Sequence, residues 1–518
     1  MRIERTRNTG RNILSGIIVR LFQMLMPFAM RTMLIHFMGI EYLGLSSLFS
    51  SILQVLNLAE LGIGSAMVFF MYKPIAEDNR DELCALMRLY RTYYRVIGLA
   101  VAIVGLALLP FLPRLVSGAV PEELSLETLY LMNLAATVLS YWLFAYRSSV
   151  LSAHQRNDVL NYVMLGAQAL QYSLQAVVLL TFRDYYLYML VVLATQILSN
   201  IACALVSVKM YPRLKPDGTL PKEKRKTINA HIRDLFISKL GGVVLGSADT
   251  IVISAFLGLN LLVMYQNYFF IVTSVYGFLE VMLNGMLAGI GNSLAIEDAE
   301  TNNRVFRRVS LLFTLLVFSC VCCFAGIFQP FMRIWMGEEL MLPYGMVASF
   351  CVYFIVYAYT RLFNTFKNAA GQWHSDRFRP LVSAAVNLTL NLALVQSLQL
   401  YGILWSSIAA LGVIEIPWLV HNVFRMIFTC DSSRRYARFI GRYIAAGMAA
   451  WGITTALTSL VSLSPWLSFG LCVAASALIP LSVYITYFRK RDEFKDGMEM
   501  LERMTHRRIP ICRLLRIG

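Results

Sequence analysis

The chain has 518 residues, of which 58% are hydrophobic and only 15% charged, against about 25% charged in an ordinary soluble domain. That balance excludes a soluble globular protein and implies an all-α integral membrane protein. The formal charge of +16 does not signal nucleic acid, because the basic residues fall in short segments between apolar runs, as they do in cytoplasmic loops.

The N-terminal segment MRIERTRNTGRN runs into the first apolar run without a small-residue cleavage site and reads as a retained anchor. That first run, 13–37, contains Arg20 and Arg31. Eleven positions at about 100° per residue make roughly three turns, so both guanidinium groups share one helix face. Arginine is costly inside a bilayer and persists where it faces protein or water. Two readings are open at this point. The face is a cationic surface for an anionic substrate, or the two side chains snorkel toward opposite surfaces and bind nothing.

Apolar runs of spanning length follow near 42–71, 93–116, 128–146, 159–182, 186–208, 235–257, 261–289, 309–331, 346–363, 381–398, 403–423, 443–463 and 467–488. With the first run they give about fourteen transmembrane helices. Every lysine but Lys239 falls in a segment assigned to the cytoplasm. The outer segments carry Arg114, Arg183 and Arg333 against Glu41, Glu122, Glu123, Glu127, Glu338 and Glu339. Both termini are therefore expected on the cytoplasmic side. Residues 72–95 alternate apolar and charged side chains at helical spacing and are expected to lie along the inner interface. Residues 209–233 form a basic linker broken by Pro212, Pro216, Gly218 and Pro221. It separates an N-terminal lobe, 1–208, from a second lobe, 234–424; an extra helix pair, 425–488, and a basic cytoplasmic tail, 489–518, complete the chain. The tail is expected to dock on the membrane surface.

Catalysis has no visible home. The outer loops are short, and Gly241 and Gly246 have P-loop spacing only until Ser247 stands where the lysine belongs. The six histidines are scattered, and most of the nine cysteines, with Cys320, Cys322 and Cys323 as a cluster, fall in apolar runs. They read as small buried hydrophobes rather than metal ligands. No catalytic residue, metal or cofactor is expected.

Two short matches suggest an internal repeat. Phe37-Met-Gly39 is echoed by Phe256-Leu-Gly258, and Leu61-Gly-Ile-Gly64-Ser65 by Ala288-Gly-Ile-Gly291-Asn292. Six spans per unit imply two six-helix lobes about a pseudo-twofold along the membrane normal, with a central cavity and the last two helices outside the scheme. Counting back from the Phe-x-Gly marker superposes Arg20 on Lys239. Cations at matching depth suit a diphosphate, since guanidinium binds phosphate bidentately and lysine acts as a point charge. Arg20, Arg31 and Lys239 are therefore the candidate substrate contacts. Glu60, Asp249 and Glu280 are candidates for ion pairs or ion coupling. Asn57, Asn267, Asn284, Asn364, Asn387 and Asn391 read mostly as glue between helices, and Arg361 as an interfacial anchor.

The stretches FMGIEYLGLSSLFSSILQVLNLAELGIGSAM (37–67) and MYKPIAEDN (71–79), with the basic N-terminus and the number of spans, resemble the bacterial polysaccharide-transporter flippases. These belong to the multidrug/oligosaccharidyl-lipid/polysaccharide exporter superfamily. The resemblance implies translocation of an undecaprenyl-diphosphate-linked oligosaccharide repeat unit from the inner to the outer leaflet of the bacterial cell membrane, for capsule or exopolysaccharide assembly. It implies two lobes that alternate between inward- and outward-open states, and a lipid-linked oligosaccharide as partner in the membrane, with a polysaccharide polymerase and glycosyltransferases alongside. Three alternatives stand beside it. A lipid II flippase differs only in its glycan. A multidrug cation antiporter should carry acids where Arg20 and Arg31 stand. A membrane glycosyltransferase or polymerase would need an outer catalytic loop.

Overall fold

The structure is a computed structural model that describes residues 5–60, 62–117, 121, 123–371, 376–460 and 465–504. Of the expectations above, those on residues 1–4, Leu61, Glu122, Cys512 and the end of the basic tail lie outside the described residues. Among the described residues every regular element is helical: α1 (Arg5–Phe37), α2 (Ile40–Leu56), α3 (Ile63–Ala76), α4 (Arg80–Leu108), α5 (Leu126–Trp142), α6 (Tyr146–Ala153), α7 (Asn157–Thr181), α8 (Tyr185–Met210) and α9 (Lys222–Phe256). There follow α10 (Leu259–Ile296), α11 (Ala299–Trp335), α12 (Tyr344–Ala369), α13 (Arg379–Ala409), α14 (Ile416–Met426), α15 (Ser433–Ser459), α16 (Pro465–Phe488) and α17 (Asp492–Met504).

Among the described residues ten helices are long and apolar enough to cross a membrane, or eleven if α5 and α6, bent by 53°, make one span. The difference from about fourteen has local causes. The run 42–71 is broken into α2 and α3 by a tight turn at Asn57–Glu60. Residues Arg379–Met426 count as one 48-residue segment, although Gln399, at φ 50° and ψ −130°, separates the two runs expected there. The helix α15 opens with four arginines, which lowers its hydropathy.

Two compact units divide the chain, Met1–Val263 and Met264–Gly518. In the first, α1 packs on α7, α4 on α5, and α9 on α2 and α3. Residues 72–95 do not form a separate surface helix. They finish α3, turn at Asp78 (φ 52°) and start α4, where the Asn79 side chain caps the helix by accepting from the Glu82 amide at 3.2 Å. The basic linker is likewise tied down rather than loose. Arg88 donates to the Gly218 carbonyl at 3.1 Å, Lys224 pairs with Glu82, and from Lys222 onward the segment is already α9.

In the second unit α11 is the hub, packed on α12, α15, α16 and α17. Phe306 of α11 lies among Phe366, Phe424, Phe428 and Tyr436 at ring separations of 4.4–5.9 Å, and burial of rings this large supplies much of the packing energy. The described part of the tail packs on α11. Phe494 and Met498 of α17 are buried, Gly497 meets Leu311, and Arg308 pairs with Asp496.

Candidate functional site

The Phe-x-Gly marker is a helix stop with one geometry in both places. Gly39 has φ 125° and Gly258 φ 92°, a region that favours glycine. The Met38 and Gly39 amides both donate to Leu34, at 3.0 and 3.2 Å, and the Leu257 and Gly258 amides both donate to Ile253, at 2.8 and 3.1 Å. Arg20 and Lys239 thus each stand nineteen residues before an equivalent stop, about 28 Å along a helix. The second marker does not repeat structurally. Gly62 sits at the break between α2 and α3 with φ 91°, whereas Gly289 and Gly291 lie inside the continuous α10.

All three candidate cations belong to the first unit. Arg20 and Lys239 are exposed and Arg31 is half-buried. The α1 face that meets α7 is marked by Ser15, whose hydroxyl accepts from Asn161 at 2.9 Å, and by buried Val19, Met30 and Leu34. On a helical wheel Arg20 and Arg31 lie about 20° from each other and about a quarter turn from that face. They therefore share a flank beside the α7 contact. Arg31 lies within electrostatic reach of the Tyr188 hydroxyl of α8. The Lys239 ammonium donates to the Ser65 hydroxyl of α3 at 3.2 Å.

Glu60 closes the turn between α2 and α3, and tyrosines hold it. Tyr94 of α4 donates to its Oε1 at 2.5 Å. The Tyr141 hydroxyl of α5 lies 2.9 Å from its Oε2 and 2.8 Å from Asn57 Oδ1. Tyr90 in turn donates to Tyr94 at 2.8 Å. Hydroxyl donors satisfy both carboxylate oxygens, as a polar group at this depth requires. The same turn is pressed against α9, since a Cβ on Gly62 would lie 2.6 Å from Leu235 Cβ and 3.3 Å from the Ile232 carbonyl. Asp249 is buried on α9, and ten residues of helix, about 15 Å, separate it from Lys239.

Glu280 lies in the second unit, half-buried on α10, where it faces Arg361 of α12 electrostatically. Arg361 is not a simple anchor. It donates to the Tyr357 hydroxyl at 2.7 Å, and its guanidinium carbon lies 5.0 Å from the Tyr357 ring and 5.9 Å from the Tyr276 ring. Such cation–π contacts stabilise a cation withdrawn from water. Sequence reading missed the tyrosines around Glu60 and around Arg361. The i, i+4 spacing of Tyr90 and Tyr94 and the spacing of Tyr357 and Arg361 were the available signals. Among the described residues no group of three or more His, Cys, Asp or Glu side chains converges as a metal site would.

Helices of spanning length, without a strand among the described residues, define an all-α multi-pass membrane protein. Three solved structures place that fold. The lipid II flippase MurJ in an inward closed conformation aligns with a TM-score of 0.69 at 13% identity, over 92% of this chain and 99% of that one. A multidrug resistance MATE family transporter of the MOP superfamily, in an inward-facing conformation, aligns at 0.55 and 14% identity over 79% of this chain and 97% of its own. A MOP superfamily transporter from Pyrococcus furiosus, whose binding pocket is described as having reversed polarity, aligns at 0.54 and 14% identity over 81% and 95%. No protein-family model matches the sequence, and no curated protein does.

Proposed function

We propose that the chain is a flippase that carries an undecaprenyl-diphosphate-linked oligosaccharide from the inner to the outer leaflet, with Arg20, Arg31 and Lys239 as contacts of the diphosphate. One observation carries the reading: Arg20 and Lys239 stand exposed in apolar helices of one unit, each nineteen residues before an equivalent glycine stop, with Arg31 half-buried on the same flank of α1 as Arg20. Exposed cations at membrane depth suit an anion arriving from outside the fold. Their depths are graded. If the glycine stops mark the outer surface, Arg20 and Lys239 lie about 28 Å below it and Arg31 about 12 Å, in a hydrocarbon layer about 30 Å thick. The lower pair would meet the headgroup at the inner leaflet and Arg31 would receive it midway. In this scheme Glu60 holds the turn that brings Ser65 to Lys239, Glu280 balances Arg361, and Asp249 is the candidate for ion coupling.

A second reading, a lipid II flippase, is supported by the likeness to MurJ over 92% of this chain, as an antiporter is by MATE likenesses over 79–84% of it. Diphosphate capture would be the same, so depletion of the protein separates the two. Accumulation of one undecaprenyl-diphosphate oligosaccharide supports the first reading and accumulation of lipid II the second. No accumulation, with heightened sensitivity to cationic drugs, supports an antiporter. A charge-assisted hydrogen bond contributes about 1.5–3 kcal/mol, so Arg20→Ala or Lys239→Ala should slow flipping roughly tenfold or more with unchanged abundance. Flipping at the parental rate refutes the cation site, and failure to accumulate assigns the residue to structure.

A further inference from the structure

The inner end of α15 carries charge that the helix itself does not balance. The helix Ser433–Ser459 contains four arginines, Arg434, Arg435, Arg438 and Arg442, and no acid. They occupy its first ten residues, where the helix dipole is positive and cations are unfavourable. One carboxylate stands beside them. Asp431, with a fully buried side chain, takes Arg307 of α11 at 2.5 Å and Arg435 at 3.6 Å, so it is already shared.

Packing fixes which way the other three arginines point. Tyr436, Phe439, Ile440 and Tyr443 are buried and hold one face of α15 against the unit. On a helical wheel Arg434, Arg438 and Arg442 span about 80°, centred about 150° from that buried face. All three are exposed. They extend over eight residues, about 12 Å of helix. The end of α16 adds exposed Arg489, Lys490 and Arg491. Tyr443, next to Arg442, stacks on Phe488, three residues before Arg491, at 4.3 Å, and Glu493 lies within electrostatic reach of its hydroxyl.

The surface below this charge says what covers it. On the same two helices Leu457 is 48% exposed, Leu478 61% and Tyr487 73%. Large apolar side chains exposed along these two helices belong against acyl chains, and exposed tyrosine marks the headgroup level. The arginines therefore stand where headgroups lie, and a guanidinium binds a phosphodiester through two parallel hydrogen bonds. We infer that Arg434, Arg438 and Arg442, with Arg491, form a binding site for the headgroup of an anionic phospholipid of the inner leaflet. The site is separate from the transport cations and does not depend on what the chain carries.

The test uses the purified full-length protein in detergent supplemented with phosphatidylglycerol or phosphatidylcholine, and reads the thermal unfolding midpoint. Phosphatidylglycerol should raise the midpoint of the parent protein above the phosphatidylcholine value. The triple variant R434Q/R438Q/R442Q should lose most of that difference. The variant K222Q/R225Q/K226Q, which removes equal charge from the start of α9, should keep it. No preference in the parent, an unchanged preference in the α15 variant, or equal loss in both variants overturns the site. So does an equal midpoint shift with inorganic phosphate in place of lipid. If the triple variant does not fold, native mass spectrometry of R438Q/R442Q decides: fewer retained phosphatidylglycerol molecules than on the parent supports the site, and an equal number refutes it.

Discussion

Replacing Gly62 by alanine tests the coupling between the α2–α3 turn and α9 directly. The residue has φ 91°, a left-handed conformation that costs a residue with a Cβ about 1–2 kcal/mol. The added Cβ would lie 2.6 Å from Leu235 Cβ and 3.2 Å from the Phe236 amide nitrogen. Both atoms belong to or branch directly from backbone, so no side-chain rotation relieves the contact. Restoring ordinary carbon contact at roughly 4 Å needs about 1.4 Å of separation between the turn and α9, and overpacking of this kind costs about 1–3 kcal/mol. Together the penalties come to about 2–5 kcal/mol, and the displacement carries Lys239 away from Ser65. The matched control is Gly242→Ala, in the same α9, where an added Cβ meets no atom within 4 Å and helix propensity favours alanine by about 0.5–1 kcal/mol. Thermal unfolding of both purified variants in detergent, with lipid flipping in reconstituted vesicles, reads the outcome. Gly62→Ala should unfold at lower temperature and flip more slowly, and Gly242→Ala should be at least as stable as the parent. If Gly62→Ala matches its control in both assays, the turn does not fix the position of α9 and the reasoning fails.

Two further outcomes follow from the second unit. Lys367, Asp376, Arg379 and Glu415 form a buried ionic cluster, with contacts of 2.8, 3.0 and 2.6 Å; Asp376→Asn leaves Lys367 buried against a weaker partner and should cost about 3–5 kcal/mol. Adding Lys367→Met should restore part of that loss, and a thermal-unfolding double-mutant cycle measures how much. Burial raises the Asp431 carboxyl, but hydrogen bonds from Arg307 and Asn303 and from the Ser432 amide outweigh it and hold it below its usual range. A depressed carboxyl stabilises the fold above its unfolded pKa and ceases to do so as pH falls through the folded value. Asp431→Asn should therefore cost about 1–3 kcal/mol near neutrality, and the gap from the parent should close below about pH 4; a gap constant with pH refutes the ion pair.

What the sequence makes legible is what depends on local patterning. The apolar runs require helices because backbone groups in lipid must bond within their own segment. Phe37-x-Gly39 and Phe256-x-Gly258 announce a helix stop because only glycine takes that φ cheaply, and the stop has the same hydrogen bonds in both places. What depends on distant packing stays hidden. Leu61-Gly-Ile-Gly64 and Ala288-Gly-Ile-Gly291 read alike, yet Gly62 turns where α9 presses on it and Gly289 continues a helix, since nothing in four residues encodes the neighbour. The basic tail reads as a membrane-surface segment because composition alone cannot distinguish lipid from protein as the cover of an amphipathic face. In the structure α17 packs on α11 with Phe494 and Met498 buried, and the exposed arginines lie on α15 instead. Glu60 follows the same rule. An acid in an apolar run calls for a cation, but a carboxylate can be satisfied equally by hydroxyl donors, and the tyrosines that supply them lie 34 and 81 residues away. The identity of a buried acid's partner is thus a property of the fold, whereas the need for a partner is already a property of the residue.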